Sequence, residues 1–134
     1  MNHDPRPIPE HVRQQLNQTI DDFNRGELAG SDSHYVARYR ASFLFLDRSD
    51  HGRVRPIIRL QYTGRLDSWE FALYRPSQAD YETDATFFPG EQHIDGTLTG
   101  ALRAGLEAHP PQAKGDDPDA SWWDRLVGGL FGPR

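Results

Sequence analysis

Cysteine is absent from this 134-residue chain, which excludes disulfides, thiolate metal sites and cysteine nucleophiles. Lysine is nearly absent too: Lys114 stands alone against fourteen arginines, a ratio that fits the codon usage of a GC-rich bacterial genome. No apolar run approaches the length of a membrane span. The polar, proline-bearing opening from Met1 to Glu10 has no signal-peptide character. These absences, cysteine included, lead to the expectation of a cytoplasmic protein that does not engage a membrane. Gly-rich phosphate loops, a Gly-flanked nucleophilic serine and metal-ligand spacings are also missing. No catalytic residue, metal or cofactor is therefore assigned.

Apolar residues make up 36% of the chain, with 12 glycines and 10 prolines. That composition suits one domain with a modest core and much irregular backbone. The formal net charge is −5, but the charges are unevenly spread. Eight of the arginines fall between His34 and Arg75, a stretch with only four acids, Asp47, Asp50, Asp67 and Glu70. Codon usage explains why the basic residues are arginine and leaves their clustering unexplained.

Hydrophobic periodicity divides the chain into an α+β domain over residues 1–109, an acidic, proline-bearing linker over 110–120, and an apolar tail over 121–134. Val12, Leu16, Ile20 and Phe23 form one stripe of a helix over about 9–25. Period-two alternation then predicts strands over about 34–47, 53–63 and 69–75, with a further short strand beginning near Tyr81. Leu98, Leu102 and Leu106 mark a second helix over about 97–109, rich in glycine and alanine and stopped by Pro110 and Pro111. Short links between the strands argue for a three- or four-stranded antiparallel meander with both helices on one face.

Three candidate sites follow from these patterns. In the first strand, Tyr35, Ala37, Tyr39, Phe43 and Phe45 share a phase and are assigned to the core. That assignment leaves Val36, Leu44, Leu46 and Ile57 on the outer face with Arg38, Arg40, Arg55 and Arg59. Arginine interleaved with aliphatic side chains suits a protein partner or a homodimer contact. The alternative is a nucleic-acid surface using the same arginines, since guanidinium groups suit phosphate. In the tail, Trp122, Trp123, Leu126, Leu130 and Phe131 follow helical spacing. They are expected either to fold back on the domain or to dock on a partner. Last, His93 and Asp95 beside Thr97 allow an acid–base pair at the start of the second helix, the basis of a small-enzyme alternative.

Overall fold

The computed structural model describes residues 7–111. The tail residues Trp122, Trp123, Leu126, Leu130 and Phe131 lie outside the described residues, as does the linker from residue 112 onward. The elements run α1 (Glu10–Gly26), β1 (Ser33–Arg40), β2 (Phe43–Asp50), β3 (Arg53–Gln61), β4 (Glu70–Arg75), β5 (Asp80–Glu82) and α2 (Leu98–Ala108). The strands form one antiparallel sheet in the order β1-β2-β3-β4-β5. The fold is α+β, with five strands rather than three or four. Both helices cover the same face. Phe23 of α1 meets the Tyr35 ring edge-on, while the Tyr35 hydroxyl donates to the Leu102 carbonyl of α2 at 2.8 Å. Among the described residues no helix is long and apolar enough to cross a membrane.

The extra strand comes from a hairpin that the alternation conceals. The expected single strand over 34–47 is two strands joined by Ala41 and Ser42, with Arg40 paired to Phe43 and Ala41 at φ 53°. A two-residue connection places an even-numbered residue opposite an odd-numbered one. The side-chain phase therefore inverts across the turn. Tyr39 pairs with Leu44 and Ala37 with Leu46, which turns both leucines towards the helices. Leu44 and Leu46 are 0% exposed, in the core and not on the outer face as expected. Phe43 and Phe45 take their place outside. The β2–β3 turn is easier to recognise: His51 and Gly52 have φ of 55° and 82°, the left-handed pair of a type I′ hairpin.

Ile57 is corrected for a second reason. The β2–β3 register shifts between Leu46 and Asp47, which pair with Ile58 and Pro56 respectively, so Ile57 is the extra residue of a bulge. Both Ile57 and Ile58 then enter the core, each 0% exposed. The shift also turns Arg55 to the helix side, opposite Arg48. Pro56 sits where proline is tolerated within a sheet, beside a bulge and beyond the last β3–β4 pair at Ile58 and Leu73.

Helix α2 lies close to the sheet because its inner side is small: Gly100, Ala101, Ala104, Gly105 and Ala108 are all buried. A Cβ at Gly105 would stand 2.5 Å from the Tyr35 hydroxyl, 2.7 Å from Ile58 Cδ1 and 2.8 Å from Ile57 Cγ2. Alanine is the better helix former, but all three neighbours belong to buried side chains. Gly105→Ala is expected to lower stability by about 1–3 kcal/mol, as overpacked cores do. Urea denaturation monitored by circular dichroism measures it. An unchanged midpoint would show that helix and sheet separate without penalty.

Candidate functional site

The face of the sheet opposite the helices carries a connected layer of rings and guanidinium groups. Register places Arg38 of β1 beside Phe45 of β2, and Phe45 beside Arg59 of β3. The Arg38 guanidinium lies 4.7 Å above the Phe45 ring. Arg59 lies 4.8 Å from the Phe43 ring and 5.3 Å from that of Tyr81. The rings also meet one another: Phe43 and Phe45 at 6.0 Å, Phe45 and Tyr81 at 5.6 Å, Tyr74 and Tyr81 at 5.2 Å. Each guanidinium thus sits over the negative face of a ring, an arrangement worth about 0.5–1 kcal/mol at exposed sites.

Acids neutralise part of this layer. Asp47 accepts from Arg38 Nε at 2.6 Å and from Nη2 at 3.1 Å, a two-point contact. That hydrogen bond raises the Arg38 pKa, and burial raises that of Tyr81. A shallow depression of about 510 Å³ borders Arg59, with Gln61, Glu70, Ala72, Thr83 and Asp84 around it.

A second cluster is buried at the end of the sheet, under the C-terminus of α2. The Arg48 side chain is 0% exposed and lies on the helix side of β2, opposite Tyr35 and Arg55. Its Nε donates to Asp50 Oδ1 at 3.0 Å, Nη1 to the Gly105 carbonyl at 3.4 Å, and Nη2 to the His109 carbonyl. Arg55 Nε donates to Asp50 Oδ2 at 3.2 Å and its Nη2 to the Pro110 carbonyl at 2.8 Å. Two cations thus share one carboxylate, and backbone carbonyls at the helix end accept further donors from both, where the helix dipole favours positive charge.

Each titratable group in this cluster responds to that setting. Burial pushes the Asp50 carboxyl up, but hydrogen bonds from Arg48 and Ser33 and the two guanidinium charges outweigh it and hold Asp50 below the ordinary carboxylate value. Burial, followed by the like charge of Arg48, lowers the Arg55 pKa. Tyr35 is pushed up to about 12 by burial. His109, 1% exposed with Nε2 2.8 Å from the Tyr74 carbonyl, is pushed down to about 4 by burial.

The residues expected to form one outer face are therefore divided. Arg38, Arg40 and Arg59 share that face, whereas Arg55, Leu44, Leu46 and Ile57 belong to the helix side. His93 and Asp95 take separate roles. His93 Nε2 meets Glu107 Oε2 at 2.5 Å, and this hydrogen bond lowers the Glu107 pKa. Asp95 Oδ1 accepts from the Thr97 backbone N–H at 3.0 Å and from its hydroxyl at 2.6 Å. Thr97 in turn caps α2 by accepting from Gly100 N at 3.1 Å. Asp95 thus organises a helix N-terminus. Among the described residues no group of three His, Asp or Glu side chains could hold a metal ion.

Phe43, Phe45 and Tyr81 were missed as surface residues, and the Arg48–Asp50–Arg55 cluster was missed altogether. Only the paired phases of β2 and β3 reveal either, and those depend on recognising the Ala41–Ser42 turn and the bulge. No family model matches the chain, and comparison with curated proteins and with solved structures likewise gives no match.

Proposed function

We propose that the protein is a small protein-binding module whose contact surface is the face of the sheet opposite α1 and α2, with a second copy of the chain as its simplest partner. The observation that carries this reading is the continuous layer of Arg38, Phe45, Tyr81, Arg59 and Phe43. Aromatic residues and arginine are the side chains enriched where protein interfaces are buried. Aromatics replace the aliphatic residues expected there, which strengthens the case for an interface.

Rings beside arginines also suit single-stranded nucleic acid, whose bases stack on aromatic faces. Here the faces of Phe43 and Phe45 already carry guanidinium groups, Arg38 is held by Asp47, and Glu70 and Asp84 stand near Arg59. Those acids would repel a phosphate backbone. A protein partner is favoured.

Sedimentation velocity on the full chain over a wide concentration range tests the proposal. Reversible association is expected, and Phe45→Glu should weaken it by at least about tenfold, equivalent to about 1.4 kcal/mol. A wild-type protein that stays monomeric at the highest attainable concentration would sink the second-copy reading. A labelled oligothymidine titrated at low salt covers the alternative: salt-sensitive binding would favour nucleic acid, and a flat curve would remove it.

A further inference from the structure

Where α2 ends, the sheet leaves a second concavity, which adjoins the ring layer at Tyr74. Strand β4 pairs with β3 only from Ile58 to Gln61, so the first residues of β3 run past the end of β4. A groove of about 240 Å³ lies there, with Val54, Pro56, Tyr74 and Pro76 as apolar walls and Arg53 and Arg55 adding positive charge. Val54 is 59% exposed. The volume falls short of the roughly 300–1,000 Å³ typical of sites for whole small ligands and suits a single large side chain.

The described chain ends at this groove. His109 lines it, and the Arg55 contact to the Pro110 carbonyl fixes the backbone two residues before residue 112. Beyond Pro111 the sequence continues through Asp116, Asp117 and Asp119 to the adjacent Trp122 and Trp123. We propose that the groove seats one of these two tryptophans, so that the C-terminal segment folds back on the end of its own sheet.

Three observations converge on that occupant. Trp122 lies eleven positions after Pro111; a random-coil span of that length averages about 18 Å, and the seat lies beside the point of departure. Such a short tether gives an effective concentration of about millimolar, so a weak contact is enough to keep the seat filled. Indole is the ring that best attracts a guanidinium, and Arg53 and Arg55 line the groove. The acids of the linker complement the exposed Arg53. The groove shares only Tyr74 with the ring layer, and the two are separated by variants at Val54 and Phe45.

Acrylamide quenching of tryptophan fluorescence tests it on the full chain. The Trp122→Phe and Trp123→Phe variants isolate each tail tryptophan against the buried Trp69 background. One tail tryptophan should be quenched several-fold less than free tryptophan amide, independently of protein concentration. Val54→Asp and Arg53→Glu should each restore full quenching, with circular dichroism confirming that both variants remain folded. The proposal is overturned if both tail tryptophans quench like the free amide. It is also overturned if protection appears only as concentration rises, which would assign it to a second copy. Protection lost in Phe45→Glu and retained in Val54→Asp would place the segment on the ring layer and overturn the groove as its seat.

Discussion

Asp50→Asn is expected to destabilise the protein by about 3–5 kcal/mol, the range for leaving a buried charge without its partner. Among the described residues Asp50 is the one carboxylate bonded to both the Arg48 and Arg55 guanidinium groups, whose side chains are 0% and 14% exposed. Asparagine keeps the shape and one acceptor but leaves two like charges facing each other at low dielectric. The sign of the second substitution is the sharper test. Arg48→Met alone should be harmful, because it removes the hydrogen bonds that Arg48 gives to Asp50 and to the Gly105 and His109 carbonyls. In the Asp50→Asn background it also removes a repulsion. The double variant should therefore be more stable than the sum of the single losses implies, by about 1 kcal/mol or more. Urea unfolding of the four proteins at neutral pH gives the coupling directly. Strict additivity would mean that Asp50 does not serve to balance the two arginines.

This cluster also ties the end of α2 to the sheet. Arg48 on β2 and Arg55 on β3 reach the last carbonyls of α2 and the Pro110 carbonyl, so the β2–β3 hairpin and the distant end of α2 are fastened at one point. The strap fixes the orientation in which the chain leaves the sheet, beside the groove between Val54 and Tyr74. Weakening it should loosen the end of α2 before the ring layer on the other face responds, because no side chain of the cluster belongs to that layer.

The helices were legible in the sequence because their signal is local. The four-residue spacing of Val12, Leu16 and Ile20 and the small residues of α2 each describe one face of one element. The face of β4 was legible for the same reason: Phe71 and Leu73 pair with Leu60 and Ile58 on the core side, as their alternation predicts. What stayed hidden depends on the relation between strands. Ala41–Ser42 lacks the Asn-Gly or Asp-Gly signature of a tight turn, and alternation continues through it unbroken, so one long strand and a hairpin look alike in sequence. The choice exchanges Leu44 and Leu46 for Phe43 and Phe45 on the surface. Hydrophobicity alone does not separate these options, since leucine and phenylalanine both suit a core. A buried arginine is harder still to foresee, because its burial depends on Asp50, Gly105 and His109 arriving together.

Acid should weaken this protein from about pH 6.5 downward, and His109 is the reason. Its Nε2 faces the Tyr74 carbonyl at 2.8 Å and so carries the hydrogen of a neutral ring. Burial disfavours the charged form most, the Tyr74 hydrogen bond partly opposes this, and Arg55 and Arg48 then add like-charge repulsion, leaving a pKa of about 4. An unfolded histidine titrates near pH 6.5. Between those values the unfolded chain binds a proton that the folded chain refuses, so stability falls as pH drops from about 6.5 to about 4 and the effect saturates below that. Two and a half pH units correspond to about 3 kcal/mol. His109→Gln retains a donor for the Tyr74 carbonyl and has no proton to gain. It should flatten the stability profile across that window while leaving the steeper loss at lower pH, where Asp50, held below its ordinary value by Arg48, begins to protonate. Urea midpoints for both proteins at half-unit steps from pH 7.5 to 3.5 resolve the difference. Parallel curves would show that His109 accepts its proton in the folded state, and that the end of α2 is open to water.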